Sequence, residues 1–164
     1  ARKAWLKGLS PKENREIPPL DYGRVYRLKA ARPELTIVIN GGVNSIDEAV
    51  EHLNHVDGVM AGRAAYHTPF MLAEVDRRIF GATDAALTRD EILDRLMPYI
   101  ERHMAQGRRL NNVTRHILGL YHGVPGARAF RRHLSEHAPG AGARLEVLEE
   151  ARALLRMPAA DAAA

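Results

Sequence analysis

Two short apolar runs, each ending in a glycine-containing loop, organise the first half of the chain. Residues 35–39 run into Asn40-Gly41-Gly42, and residues 56–61 run into Gly62-Arg63. The first run is short and β-branched, as expected of a strand covered on both faces. Between the two runs, Ser45 and Glu48 stand at capping-box spacing and Ala49, Val50 and Leu53 recur at helical spacing, which predicts a helix starting at Ser45. After the second run, Pro69 suits the first turn of another helix. Phe70, Leu72, Ala73, Val75 and Ile79 supply its apolar positions and Gly81 its stop. The order strand, helix, strand, helix implies a parallel sheet with crossover helices. One earlier helix is predicted over residues 22–31, since Ile17-Pro18-Pro19 forbids one upstream.

Beyond Gly81 the character of the chain changes and no β-strand pattern recurs. Thr88 and Glu91 form a second capping-box pair, followed by a stripe of Ile92, Leu93, Leu96, Tyr99, Ile100 and Met104 that ends near Gly107. Further helices are predicted over residues 111–122, 125–137 and 143–157, each bounded by Gly or Pro. The expected organisation is therefore α/β plus α. Residues 1–84 form the C-terminal portion of a (β/α)8 TIM barrel, residues 85–157 a bundle of about four helices, and the Ala-rich residues 158–164 a disordered tail.

With 164 residues, of which 46% are hydrophobic, the chain can form one sizeable core or two small ones. No apolar run approaches the roughly 20 residues that span a bilayer, and the first residues lack a signal-peptide core. Cysteine is absent, which excludes disulfides and thiolate metal sites and suits a reducing cytoplasm. A formal charge of +4 makes an anionic partner plausible. The chain starts at Ala1 without Met. Because the last strands of a barrel alone would leave open apolar edges, it is read as a C-terminal piece of a longer protein.

The loops Asn40-Gly41-Gly42 and Gly62-Arg63 have the form of a phosphate site. Glycines let backbone N–H groups approach an anion at the ends of late barrel strands, and Arg63 adds a fixed charge with fork geometry. The competing reading is a structural turn, since Asn-Gly is also a hairpin dipeptide; the capped helix that follows counts against a hairpin. Arg128, Arg131 and Arg132 lie at i, i+3 and i+4 on one predicted helix, with Arg108, Arg109 and Arg115 elsewhere in the same part of the chain. They form either a phosphate-gripping face or a solvated surface of charge pairs. His133-Leu134-Ser135-Glu136-His137 fits the H-x-x-E-H zinc pattern. It abuts Ala138-Pro139-Gly140, however, and a His at a helix C-terminus is already explained by the helix dipole, so no metal site is expected. His52 and His55 are read as surface residues.

Three segments carry a family resemblance: ARKAWLKGLSPKENREIPPLDY (1–22), INGGVNSIDEA (39–49) and DGVMAGRAAYHTPFMLAEVDRRIFG (57–81). Together they strongly resemble tRNA-dihydrouridine synthases, with LSPKENR and the helical part similar to the A-type subfamily. The resemblance implies a flavoprotein with a catalytic TIM barrel and a helical tRNA-binding domain, which uses FMN and NADPH to reduce D-loop uridines of tRNA to dihydrouridine in the cytoplasm. It makes Asn40, Gly41, Gly42, Gly62 and Arg63 the FMN-phosphate loops, and Lys12, Arg15, Arg128 and Arg131 tRNA contacts. The family's catalytic cysteine, and its flavin-contacting Lys and His, would lie upstream, so this chain carries no catalytic residue and is expected to be inactive alone and to hold FMN poorly. Two other classes remain open. A TIM-barrel flavin oxidoreductase acting on a small molecule would have no use for Arg128 and Arg131. A noncatalytic RNA-binding module would need only the helical part.

Overall fold

The computed structural model describes residues 5 and 7–155, except the side chain of Arg15. The tail expected at 158–164 and the end of the last expected helix lie outside these residues. The chain packs as two compact units, Ala1–Ala64 and Ala65–Ala164.

In the first unit, Asp21 caps helix α1 (Tyr22–Ala31) by accepting a hydrogen bond from the Arg24 N–H. Strand β1 (Val38–Asn40) and strand β2 (Gly58–Met60) pair in parallel, with Ile39 opposite Val59, and helix α2 (Ile46–Leu53) is the crossover between them. The expected cap at Ser45 is half realised. Ser45 Oγ accepts from the Glu48 N–H, but Glu48 Oε2 accepts from the Asn44 N–H rather than from Ser45. Ile39, Val43, Ile46, Ala49 and Val56 are buried between sheet and helix. The other side of the strands is not covered as the sequence pattern suggests, since Val38 is 58% exposed and Met60 45%. Apolar composition reports that a strand can be covered on both faces, not which element covers it.

His52 departs from its surface reading. It is buried, with Nδ1 2.5 Å from Tyr26 Oη and its ring 4.5 Å from that of Tyr22. Tyr22 and Tyr26, one turn apart on α1, provide the aromatic face that receives it. His55 is exposed, and its ring stacks on Tyr26.

Lys29 and Asp57 tie the C-terminal end of α1 to the segments leading into β1 and β2. Lys29 Nζ donates to the carbonyls of Pro33 and Leu35 and pairs with Asp57 Oδ1 at 2.8 Å, while Asp57 Oδ2 accepts from the Ile37 N–H at 2.8 Å. The Ile37 N–H first, and then Lys29, hold the Asp57 carboxyl below its ordinary value of 3.8. Because the folded value lies below the unfolded one, the stabilisation is complete above the ordinary carboxylate range and is lost as pH falls through the depressed value. Asp57→Asn is expected to lower the urea midpoint at neutral pH and to flatten its fall on acidification; parallel pH profiles for wild type and variant would contradict this.

Helix α3 (Arg63–His67) crosses the division after Ala64, and in the second unit the helix predicted after Pro69 is a 3₁₀ turn, Pro69–Glu74, running into one turn of helix, α4 (Val75–Arg78). Helix α5 (Arg89–Ala105) has the complete Thr88–Glu91 capping box and continues through Pro98. The segment expected as one helix over 111–122 is helix α6 (Asn111–Thr114) followed by successive tight turns. Gly119 explains the change. A Cβ there would lie 2.0 Å from the His67 carbonyl oxygen, so the backbones meet more closely than any side chain permits. Helix α7 (Ala127–His137) and helix α8 (Glu146–Ala153) complete the bundle. Phe130, Leu93, Ile100, Leu110, Leu134 and Leu148 form its core.

Arg152 ties α8 to α5 through Asp90 and Asp94, at 3.1 and 2.5 Å, and Tyr121 Oη donates to Asp90. Burial and then this bond push the Tyr121 phenol up from its ordinary value. Residues 65–84, grouped by their pattern with the strand–helix part, pack with the helical unit. Arg89 lies 3.7 Å over the Phe70 ring, and Gly119 meets His67.

Candidate anion-binding cleft and basic helix

The two glycine loops lie at the C-terminal ends of β1 and β2, because parallel pairing brings Asn40 opposite Met60. They line one cleft of about 230 Å³, bounded by Asn40, Gly41, Gly42, Gly62 and Arg63 together with Val43, Asn44, Met60 and Ala64. All five residues singled out from the sequence for a phosphate therefore converge on one site. Hairpin geometry is excluded at Asn40-Gly41, since a helix and a parallel strand follow.

The loop conformation requires its glycines. Gly41 has φ 108° and Gly42 φ 74°, in the region that L side chains avoid. Both carbonyls of this turn are held by donors: Tyr22 Oη donates to the Gly41 oxygen at 2.7 Å and Asn44 Nδ2 to the Gly42 oxygen at 2.6 Å. Acceptors that would repel an anion are thus tied off, while the N–H groups of Gly42 and Val43 have no hydrogen-bonded acceptor among the described residues. Arg63 is 76% exposed and 3.4 Å from Glu16 Oε1. So long and exposed a pair contributes little, which leaves the guanidinium able to turn onto an anion. A phosphate group, with backbone donors on one side and a bidentate cation on the other, fits this donor set.

Tyr22 and Asn44 were not singled out from the sequence. The signal for Tyr22 is its place one residue inside a helix capped by Asp21. Nothing local reveals that its hydroxyl reaches a loop 19 residues away.

The residues read as RNA contacts fall in both units, Lys12 and Arg15 in the first and Arg128 and Arg131 in the second. Lys12 is exposed in the turn before the 3₁₀ helix Glu13–Arg15, and the Arg15 side chain lies outside the described residues. On α7, Arg128 is exposed and Arg131 half-buried. Neither they nor Arg132 pairs with a carboxylate among the described residues. Of the H-x-x-E-H set, His133 Nε2 lies 3.1 Å from Glu150 Oε2 and its ring packs on His137, which accounts for both rings structurally.

A family model described as Dihydrouridine synthase (Dus) matches residues 1–156. The chain belongs to the dihydrouridine synthase family. It is 58% identical over 149 residues to a tRNA-dihydrouridine(20/20a) synthase of Shewanella oneidensis, covering 91% of this chain and 44% of that protein. It is also 58% identical to the same enzyme of Vibrio cholerae, covering 93% of this chain and 47% of the relative. For the Salmonella typhimurium enzyme the identity is 59%, over 94% of this chain and 47% of the relative. The chain thus spans about half the length of the curated relatives it matches. Among the described residues, no helix is long and apolar enough to cross a membrane.

Proposed function

We propose that this chain is the C-terminal part of a flavin-dependent tRNA-dihydrouridine(20/20a) synthase, which reduces D-loop uridines of tRNA with FMN and NADPH in the cytoplasm. The observation that carries the proposal is the convergence of Asn40, Gly41, Gly42, Gly62 and Arg63 on one anion cleft at strand C-termini. Residues 1–84 are read as the closing strands and helices of a (β/α)8 barrel, with β1 and β2 as neighbouring late strands. Residues 85–157 are read as the tRNA-binding helical domain, with Arg128 and Arg131, and Lys12 and Arg15 in the preceding part, directed to RNA phosphates.

The chemistry that FMN supplies when bound is hydride transfer. The residues of this chain would hold its phosphate. The Gly42 and Val43 N–H groups donate, Tyr22 and Asn44 keep carbonyls out of the anion's way, and Arg63 neutralises charge. Since the chain contains no cysteine, it holds no counterpart of the family's catalytic acid and is proposed to be inactive alone.

Titrating the chain with FMN and with riboflavin, which lacks the phosphate, tests the cleft. FMN is expected to bind more tightly, and Arg63→Ala to remove about tenfold of that preference, as for one exposed charge-assisted pair. Equal affinities for the two flavins in the wild-type chain would contradict the assignment.

A further inference from the structure

A second cationic cavity, of about 280 Å³, lies within the helical unit. Tyr66 and His67 from the end of α3, Arg115 and His116 after α6, His122, and Arg131 of α7 surround it, and among the described residues no carboxylate lines it. Arg131 has no hydrogen-bond or ion-pair partner among the described residues, although the chain has 20 acidic residues available.

Hydrogen bonds inside the cavity fix its donors. Arg115 Nε donates to His116 Nε2 at 3.0 Å, so that ring nitrogen carries no proton. The proton then sits on Nδ1, which lies 3.0 Å from Tyr66 Oη and donates to it. A tyrosine oxygen that accepts from the ring keeps its own O–H free to donate elsewhere. Tyr66 is 54% exposed, so that O–H is available to a ligand. The wall therefore offers a hydroxyl donor held in place by His116 and Arg115, with the guanidinium of Arg131, unpaired among the described residues, lining the same cavity. Such a set complements the two non-bridging oxygens of a phosphodiester. Arg131 also continues along α7 into Arg128 and Arg132, which extends positive charge out of the cavity along a helix face. A single small anion has no use for that row; a chain of phosphates has.

We infer that this cavity seats one backbone phosphodiester of a bound RNA, gripped by Tyr66 Oη and Arg131, with His116 and Arg115 as positioning residues. The inference rests on the RNA-binding reading of the helical unit and assigns that unit a specific seat. The test uses the full 164-residue chain and an unmodified tRNA transcript, with affinity measured as a function of NaCl and folding checked by thermal denaturation. Tyr66→Phe keeps the ring and removes the donor, and is expected to weaken binding about threefold to tenfold at fixed salt without changing the salt slope. Arg131→Gln is expected to weaken binding and to flatten the slope by roughly 0.7–0.9, one phosphate contact. His116→Phe should reproduce the loss seen for Tyr66→Phe, and combining the two should add little, because they act through one hydroxyl.

If Arg128→Gln weakens binding while Tyr66→Phe and Arg131→Gln bind as wild type, the cavity is not the seat, and the RNA-binding reading stands without it. If the wild-type chain shows no salt-dependent tRNA binding, both the inference and the reading beneath it are overturned.

Discussion

Gly119→Ala is expected to be the most destabilising single substitution considered for the helical unit, at about 2–3 kcal/mol, the upper range for overpacking. The added methyl would lie 2.0 Å from the His67 carbonyl oxygen, 2.8 Å from its carbonyl carbon and 3.2 Å from Pro69 Cδ. Two of these atoms are backbone, so the clash cannot be relieved by a rotamer change. One segment must withdraw, and the turns following α6 are what hold the other in place. For a unit of this size the cost corresponds to a fall in melting temperature of roughly 10 °C or more. Differential scanning calorimetry of wild type and variant measures it. The same withdrawal should open the cavity between Tyr66 and His116, so tRNA affinity should fall together with stability. An unchanged melting temperature would mean that the backbones do not meet as closely as described.

Gly42→Ala is expected to abolish the preference of the cleft for FMN over riboflavin. Two independent costs act at this position. Its φ of 74° is the left-handed region, where a Cβ costs roughly 1–2 kcal/mol. The Cβ would also lie 2.5 Å from Tyr22 Oη and 2.9 Å from Leu20 Cδ1. Tyr22 cannot yield without releasing the Gly41 carbonyl, which would then be free to swing towards the anion. Loss of the preference by about tenfold or more is therefore expected, against a smaller loss for Tyr22→Phe, which removes one hydrogen bond but leaves the loop backbone unstrained. The double variant should recover only part of the binding, since it relieves the contact with the hydroxyl but not the φ strain or the contact with Leu20. Competitive titration with the two flavins reads all three variants. Undiminished FMN preference in Gly42→Ala would remove the loop from the binding site.

The parts legible in the sequence were those governed by local physics. The helix over 22–31, the capping box at Thr88 and Glu91, and the strand–helix–strand order follow from spacing and caps, which depend on neighbours a few residues away. Convergence of the two glycine loops was legible for the same reason, since parallel pairing of adjacent strands must align their C-terminal ends. The departures are tertiary. His52 looks like a surface residue until Tyr22 and Tyr26 arrive from α1 to cover it. Residues 111–122 carry a helical apolar pattern but are bent into turns by the approach of Gly119 to His67. The chain's own strands leave Val38 and Met60 exposed, because an apolar run states a preference for burial and not which element supplies it. The Tyr22 hydroxyl and the Tyr66–His116–Arg115 chain join residues 19 and about 50 positions apart, and no periodicity encodes such pairings.

The most direct test of the proposed function is chemical. The complete reading frame around this chain would be expressed, incubated with NADPH and unmodified tRNA, and the RNA digested with nuclease and analysed by mass spectrometry. A gain of two hydrogens confined to D-loop uridines is expected. No gain, in a preparation that carries FMN and oxidises NADPH, would contradict the proposal and point instead to a flavoenzyme acting on a small molecule.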